Sequence, residues 1–211
     1  MTSSPKIKVL VVDDHPMVRS GLITMLDSEP GLEPIGEAKT GVEAIAQFNT
    51  LHPDVTLMDL SLPELTGVEA TAAILQDFPN AHIIILTSYD GDENIYRGLQ
   101  AGAKGYLLKT AERAELLKAI RTVFAGQNYV STSVGAKLAS RMNSPQLSER
   151  EIEVLKLLAK GNNTKSISAA LYVSEGTVKF HITNILHKLD VSDRTQAVVA
   201  AYQRGIVNPQ S

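Results

Sequence analysis

Between Lys6 and Ala125 the sequence alternates short runs of β-branched and aliphatic residues with stretches of helical periodicity, five times over. The runs are Lys6–Val12, Leu32–Ala38, Val55–Asp59, His82–Thr87 and Gly105–Leu108. Most are too apolar to leave either face in water. Behind Pro16, the residues Val18, Leu22, Met25 and Leu26 fall on one helical face. Behind Thr40, a favoured cap, Val42, Ile45, Ala46 and Phe48 do the same. Gly67–Asp77, Asp92–Gln100 and Glu112–Ala125 read as three further helices. Strands separated by helices join through crossover connections, which make them parallel and cover both sheet faces. The expected fold over residues 1–125 is α/β, a doubly wound five-stranded parallel sheet.

In such a sheet, chemistry gathers beyond the carboxyl ends of the strands. The runs deliver Asp13 and Asp14, Asp59, Thr87 and Lys109 to that edge, and the loop after Asp59 closes through Pro63 and Gly67. Singly, each has an ordinary explanation: acids favour helix starts and turns, and a lysine favours solvent. Brought together, three carboxylates repel and at least one pKa rises unless a cation intervenes. A hard divalent ion held by carboxylates, a carbonyl and waters answers that repulsion, and Mg²⁺ is usual in phosphoryl chemistry. Lys109 adds a positive point charge and Thr87 a hydroxyl donor. The set suits Asp59 as a nucleophile that takes up a phosphoryl group. His15, His52, His82, His181 and His187 lack metal-ligand spacing, and none is read as a ligand.

The order Asp13-Asp14, Asp59, Thr87, Lys109 resembles the receiver domain of bacterial two-component response regulators, over nearly all of residues 6–125. The resemblance implies a flavodoxin/receiver-like sheet in which Asp59 is the phosphoacceptor, assisted by Thr87 and Lys109. It implies that Asp13 and Asp14 hold Mg²⁺ with Asp59, the Ser61 carbonyl being a further ligand. Thr87 and Tyr106 become the switch pair: the hydroxyl moves to the new phosphoryl oxygen and the ring fills the space vacated. A sensor histidine kinase is the implied donor, with no catalysis beyond self-catalysed phosphotransfer and autodephosphorylation. Two features depart from the pattern. Lys109 is followed by Thr110 where many receivers have proline, and Ser61 and Tyr89 flank the path of attacking water. The Tyr89 ring is expected to hinder hydrolysis and lengthen the phosphoryl lifetime.

Charge divides the chain. Residues 1–125 carry ten Lys/Arg against seventeen Asp/Glu, net −7, whereas residues 126–211 carry ten against six, net +4. Different partners are expected for the two halves, with nucleic acid a candidate for the second. Residues 126–144 read as a linker, bounded by Gly126-Gln127-Asn128 and Asn143-Ser144-Pro145. Val134, Leu138 and Met142 allow a short helix there, as a tether or a spacer.

Residues 145–211 read as a small all-α four-helix domain. Ser148 with Glu151 forms a capping box ahead of an apolar face, and Gly161 ends that helix. A second helix runs from about Thr164 to Leu171, and Ser174 caps a third that ends near Leu189. Ser192 is expected to cap a fourth over Thr195–Arg204. Helices two and three, with a tight turn between them, describe a helix-turn-helix. Val178, Ile182, Ile185, Leu186 and Leu189 form the buried stripe of the third, which turns polar and basic residues outward. Phe180 on that outward side fits thymine methyls, or equally core or dimer packing.

Over about residues 145–208 the sequence resembles the LuxR-type DNA-binding domain, carried by Leu147-Ser148-Glu149-Arg150-Glu151, Gly161, Ser174–His181 and Leu189. The resemblance implies that Lys179, Phe180 and Thr183 face bases, while Thr177, Asn184 and Lys188 lean toward phosphates. The family often has lysine at the place of Thr183 and usually glutamate at that of Ser166.

The whole resembles a transcriptional response regulator of the NarL/FixJ type. Phosphorylation of Asp59 then switches dimerisation and DNA binding at paired half-sites, with RNA polymerase a further partner. An alternative is a phosphorylation-independent DNA-binding regulator that uses the receiver as a dimerisation scaffold. A phosphatase resembling the haloacid dehalogenases fits less well, since it wants two acids spaced by one residue and Asp13 and Asp14 are adjacent. With no cysteine, no signal-like start and no apolar run of membrane-spanning length, a cytoplasmic location is expected.

Overall fold

A computed structural model describes residues 5–88, 92–142 and 145–207; Tyr89 and the Asn143-Ser144 break lie outside these residues. The chain divides into two compact units, with the main boundary at Ala136–Lys137.

In the first unit, six parallel strands are ordered β2-β1-β3-β4-β5-β6. They are β1 (Ile7–Val12), β2 (Leu32–Ala38), β3 (Val55–Asp59), β4 (Ile83–Thr87), β5 (Gly105–Leu108) and β6 (Tyr129–Val130). Between them lie α1 (Pro16–Asp27), α2 (Gly41–Leu51), α3 (Gly67–Asp77), α4 (Asp92–Gln100) and α5 (Arg113–Phe124). Apolar residues from both sheet faces are withdrawn from water. Val9, Val11, Leu57 and Ile84 pack with Leu26 of α1 and Leu116 and Ile120 of α5. Leu10, Met58 and Ile83 pack with Ala44 and Phe48 of α2 and Ala70 and Ile74 of α3. Each fully buried aliphatic side chain contributes about 1.5–3 kcal/mol, so the two layers carry most of the drive to fold.

The edge strand β2 contains Pro34, which has no N–H for a ladder. Its pairing with β1 jumps from Val9↔Pro34 to Leu10↔Gly36, leaving Ile35 as an extra residue. At the opposite edge the sheet gains a sixth strand over the expected five. Tyr129 and Val130, within the stretch read as linker, pair with Gly105 and Tyr106. The two-residue run is too short to carry a strand pattern, and only the exposed edge of β5 gives it a partner.

Helix α6 (Thr132–Met142) follows. The second unit contains α7 (Glu149–Ala159), α8 (Thr164–Leu171), α9 (Glu175–Leu189) and α10 (Arg194–Gln203) around Val154, Leu155, Ile167, Val178, Ile185 and Ala201. The Ser148/Glu151 capping box and the Ser174 cap form as expected. The fourth helix is capped by Asp193 and not by Ser192: the Asp193 carboxylate accepts from the Gln196 N–H. Ser192 instead donates its own N–H and hydroxyl to the Gln196 side chain, 3.1 Å each. No helix among the described residues is long and apolar enough to cross a membrane.

Candidate functional site

Strand order reverses between β1 and β3, the switch point at which doubly wound sheets open a crevice. Register then decides which side chains meet there. Val12 pairs with Met58, so Asp13 emerges beside Asp59; Asp59 pairs with Leu86 and Thr87 with Leu108. Lys109 follows, its N–H bonded to the Thr87 carbonyl at 2.8 Å. Asp13, Asp59 and Thr87 are all buried. The Lys109 ammonium lies 2.6 Å from Asp13 Oδ2 and 2.8 Å from Asp59 Oδ2, bridging the two acids.

The electrostatics follow from that bridge. Burial pushes the Asp59 carboxyl above its ordinary value against the pull of Lys109, and the nearby charge of Asp13 adds to the rise. Burial by itself lowers Lys109, but its bonds to Asp13 and Asp59 outweigh that and hold the ammonium above its ordinary value.

The backbone around Asp59 is equally constrained. Ser61 N–H reaches Asp59 Oδ1 at 3.3 Å, and the Gly67 N–H donates to the Leu60 carbonyl at 3.0 Å. A Cβ at Gly67 would overlap the Asp59 carbonyl oxygen, so only glycine closes this loop. The same residue starts α3, whose cap is the reciprocal Thr66–Glu69 box.

Thr87 and Tyr106 lie on one face of the sheet, because Tyr106 pairs with Ile85, two residues before Thr87. The Tyr106 ring is fully buried and packs beside α4, where a Cβ at Gly98 would stand 3.3 Å from Cε2 of the ring. Tyr89 lies outside the described residues.

Asp13, Asp14, His15 and Asp59 each offer one ligand atom within 4.8 Å of the others. Among the described residues the buried Asp13 Oδ2 is met by the Lys109 ammonium and the buried Asp14 Oδ1 by the His15 imidazole, 2.6 Å each. Such oxygens fit a divalent cation. Two neighbours were missed in the sequence. Arg19 donates to the Asp13 carbonyl at 2.7 Å while its Nε is held by Glu37 at 2.7 Å, tying the acid turn to the end of β2. His15 Nδ1 approaches Asp14 and Asp13. The only signal was position, directly after the acids and one turn into α1.

In the second unit, α8 and α9 are joined by a turn in which Tyr172 takes a left-handed backbone, φ 54°. The Ser168 hydroxyl donates to the Val173 carbonyl at 2.6 Å and Arg150 to the Leu171 carbonyl at 2.7 Å, fixing the angle between the helices. On α9, Lys179, Phe180 and Thr183 are exposed, and Thr177 and Asn184 are half-buried beside them. At 63% exposure, Phe180 is not part of its domain's core. The Thr177 hydroxyl pairs with the Ser174 cap at 2.8 Å, and that of Thr183 donates back to the Lys179 carbonyl at 3.1 Å. Lys188 departs from the expected phosphate-facing set. Its ammonium is bound at 2.7 Å to the buried Glu151 carboxylate, whose burial demands a cation.

A model of the response regulator receiver domain matches residues 9–121. A model of the bacterial regulatory proteins of the luxR family matches residues 145–201. The chain is a two-component response regulator.

Its likeness to curated relatives runs end to end. It is 44% identical to the transcriptional regulatory protein LiaR of Bacillus subtilis (strain 168), over 96% of this chain and all of the relative. It is 42% identical to the response regulator protein VraR of Staphylococcus aureus (strain NCTC 8325), over 95% and 99%. Among solved structures, the response regulator ChrA of a heme-sensing two-component system is 37% identical with TM-score 0.59, covering 97% of this chain and 100% of that one. An RcsB–DNA complex is 26% identical with TM-score 0.70, covering 94% and 98%. The regulator thus joins a receiver to a LuxR-type DNA-binding domain and acts on transcription rather than as a turnover enzyme.

Proposed function

We propose that Asp59 of this regulator accepts a phosphoryl group from a sensor histidine kinase and that the modification promotes dimerisation and binding to paired DNA half-sites. Residues 1–125 hold the acceptor, and residues 145–211 bind DNA. The observation that carries the reading is the buried Lys109 ammonium bridging Asp13 and Asp59 at the switch point of the sheet. In the transfer, an Asp59 oxygen bonds to phosphorus as the P–N bond to the kinase histidine breaks; the electron pair stays on that nitrogen, and the imidazole leaves neutral because its other ring nitrogen already carries the proton. Lys109 holds positive charge where the phosphoryl oxygens arrive, and the Thr87 hydroxyl turns to them afterwards while Tyr106 follows into the vacated space. Asp13, Asp14, Asp59 and the Ser61 carbonyl would hold Mg²⁺, which supplies charge neutralisation at the phosphoryl oxygens when bound. The reactions take place in the cytoplasm, where the dimer on DNA meets RNA polymerase.

The test is DNA binding with Mg²⁺ and a small phosphodonor, wild type against Asp59→Asn. The wild type is expected to gain affinity and the variant to stay at the unphosphorylated level. An equal response in both would favour the phosphorylation-independent alternative.

On the DNA side, Lys179, Phe180 and Thr183 face bases, and Thr177 and Asn184 stand by the backbone. Lys179→Ala is expected to weaken specific binding by about 1–3 kcal/mol and leave binding to random DNA nearly unchanged. Parallel titrations on the two DNAs measure this; equal losses would assign Lys179 to phosphate.

A further inference from the structure

Glycine is the costliest helix residue after proline, because its backbone loses the most freedom on ordering. Gly98 nonetheless sits within α4, the seventh of its nine residues. Its backbone is not left-handed, so no turn requires glycine there; the left-handed glycine of this segment is Gly102, φ 97°. The reason lies in what Gly98 faces. A Cβ built on it would stand 2.5 Å from Ile85 Cδ1, and 3.3 and 3.6 Å from Cε2 and Cδ2 of Tyr106. Ile85 and Tyr106 pair across β4 and β5, and both are fully buried. Ile95, three residues earlier on the same helical face, is fully buried too, so this face of α4 is turned away from water. Among the described residues Tyr106 is the largest fully buried side chain, and its ring lies where α4 presents no side chain at all. Protein interiors hold little spare volume, and one added methyl group forces its neighbours to move. The Ile85 methyl is the free end of a flexible chain and yields readily. The ring is a rigid plane and moves only as a whole.

We propose that Gly98 is the seat of the switch tyrosine: the hydrogen it carries in place of a side chain lets the Tyr106 ring occupy its buried position beside α4. Gly98 is a positioning residue, acting through Tyr106 and touching neither the acceptor carboxylate nor DNA. The inference rests on the Thr87–Tyr106 switch reading given above. It adds that the balance between ring-in and ring-out is set by volume on α4 as well as by the Thr87 hydroxyl. One methyl group at position 98 therefore tips that equilibrium outward, and phosphorylation of Asp59 no longer yields its full gain in DNA affinity.

The test uses the full-length protein labelled with 3-fluorotyrosine, with Mg²⁺ and acetyl phosphate, and Tyr106→Phe assigns the Tyr106 resonance. In the phosphorylated wild type that resonance is expected to be shielded from a dissolved gadolinium chelate. In Gly98→Ala it is expected to broaden with the chelate, and the phosphorylation-dependent gain in DNA affinity to fall about tenfold. Phosphorylation of Asp59 should still proceed at the wild-type rate. Adding Ile85→Val removes Cδ1, the atom nearest the new methyl group, and is expected to return the ring and restore the gain. A glycine with a purely local role in α4 predicts another pattern, in which alanine, a better helix former, only raises the melting temperature. A shielded ring in Gly98→Ala, or an exposed one that Ile85→Val does not recover, would overturn the proposal. Should Gly98→Ala fail to fold, the double variant decides: folding with a shielded ring upholds the seat, and failing to fold overturns it. If the DNA affinity of the wild type does not respond to acetyl phosphate, the switch reading beneath the proposal is what fails.

Discussion

Lys109→Met is expected to slow phosphorylation of Asp59 by a small phosphodonor about a hundredfold and to cost the receiver about 3 kcal/mol of stability. Both effects come from one nitrogen, held 2.6 Å from Asp13 and 2.8 Å from Asp59. In the unphosphorylated protein the ammonium lets two buried carboxylates stand side by side. Without it, the rise that burial already imposes on Asp59 loses its main opponent, and more of the nucleophile is protonated at neutral pH. In the proposed transfer the same charge faces the phosphoryl oxygens, where a preorganised donor is worth far more than in water. Rates at saturating Mg²⁺ and urea unfolding with and without Mg²⁺ separate the two. Mg²⁺ should recover much of the stability, because any cation relieves the repulsion. It should recover little of the rate. A variant phosphorylated at the wild-type rate would leave Lys109 a structural counter-ion only.

Lys188→Met is expected to destabilise the DNA-binding domain by about 3 kcal/mol, the scale for stripping a buried charge of its partner. Glu151 is buried and its Oε2 accepts from Lys188 Nζ at 2.7 Å and from the Ser148 N–H at 2.7 Å. One carboxylate thus ties α9 to the first turn of α7. Burial works to raise the Glu151 pKa; the bonds from Lys188 and Ser148 more than reverse it and leave the group below its ordinary value. The sign follows: the unfolded chain binds the proton more tightly. The contribution is complete above the ordinary glutamate pKa of about 4.3 and is lost as pH falls through the lower folded value. Hydrogen exchange at α7 and α9 amides should therefore separate wild type from variant at neutral pH and bring them together in acid. A phosphate-bound lysine has a different signature, a drop of about one in the slope of log affinity against log salt. For Lys188→Met that slope should stay unchanged.

Much of this regulator is legible in its residue order. The alternation of apolar runs and helical faces dictates a parallel sheet, because strands separated by helices have no other way to pair. Acids and a lysine at the ends of those runs announce charge chemistry at one edge, and the Ser148, Ser174 and Thr40 caps mark helix starts through local bonds alone. These are short-range facts, readable from spacing. The rest needed contacts between distant segments. The sixth strand exists because β5 offers an edge, not because Tyr129 and Val130 carry a pattern. Lys188, outward by helical phase, is claimed by a glutamate 37 positions earlier in the chain. Arg19 reaches back to the Asp13 carbonyl only because Glu37, at the end of a neighbouring strand, holds its other nitrogen. Asp59 shows the division most clearly. Its place at a strand end could be read from the order of residues, but the register of β1 against β3 decided that Asp13 would meet it, and the registers of β3, β4 and β5 that Lys109 would. Periodicity fixes what a residue faces along its own element, whereas charge and burial across elements settle which partner it finds.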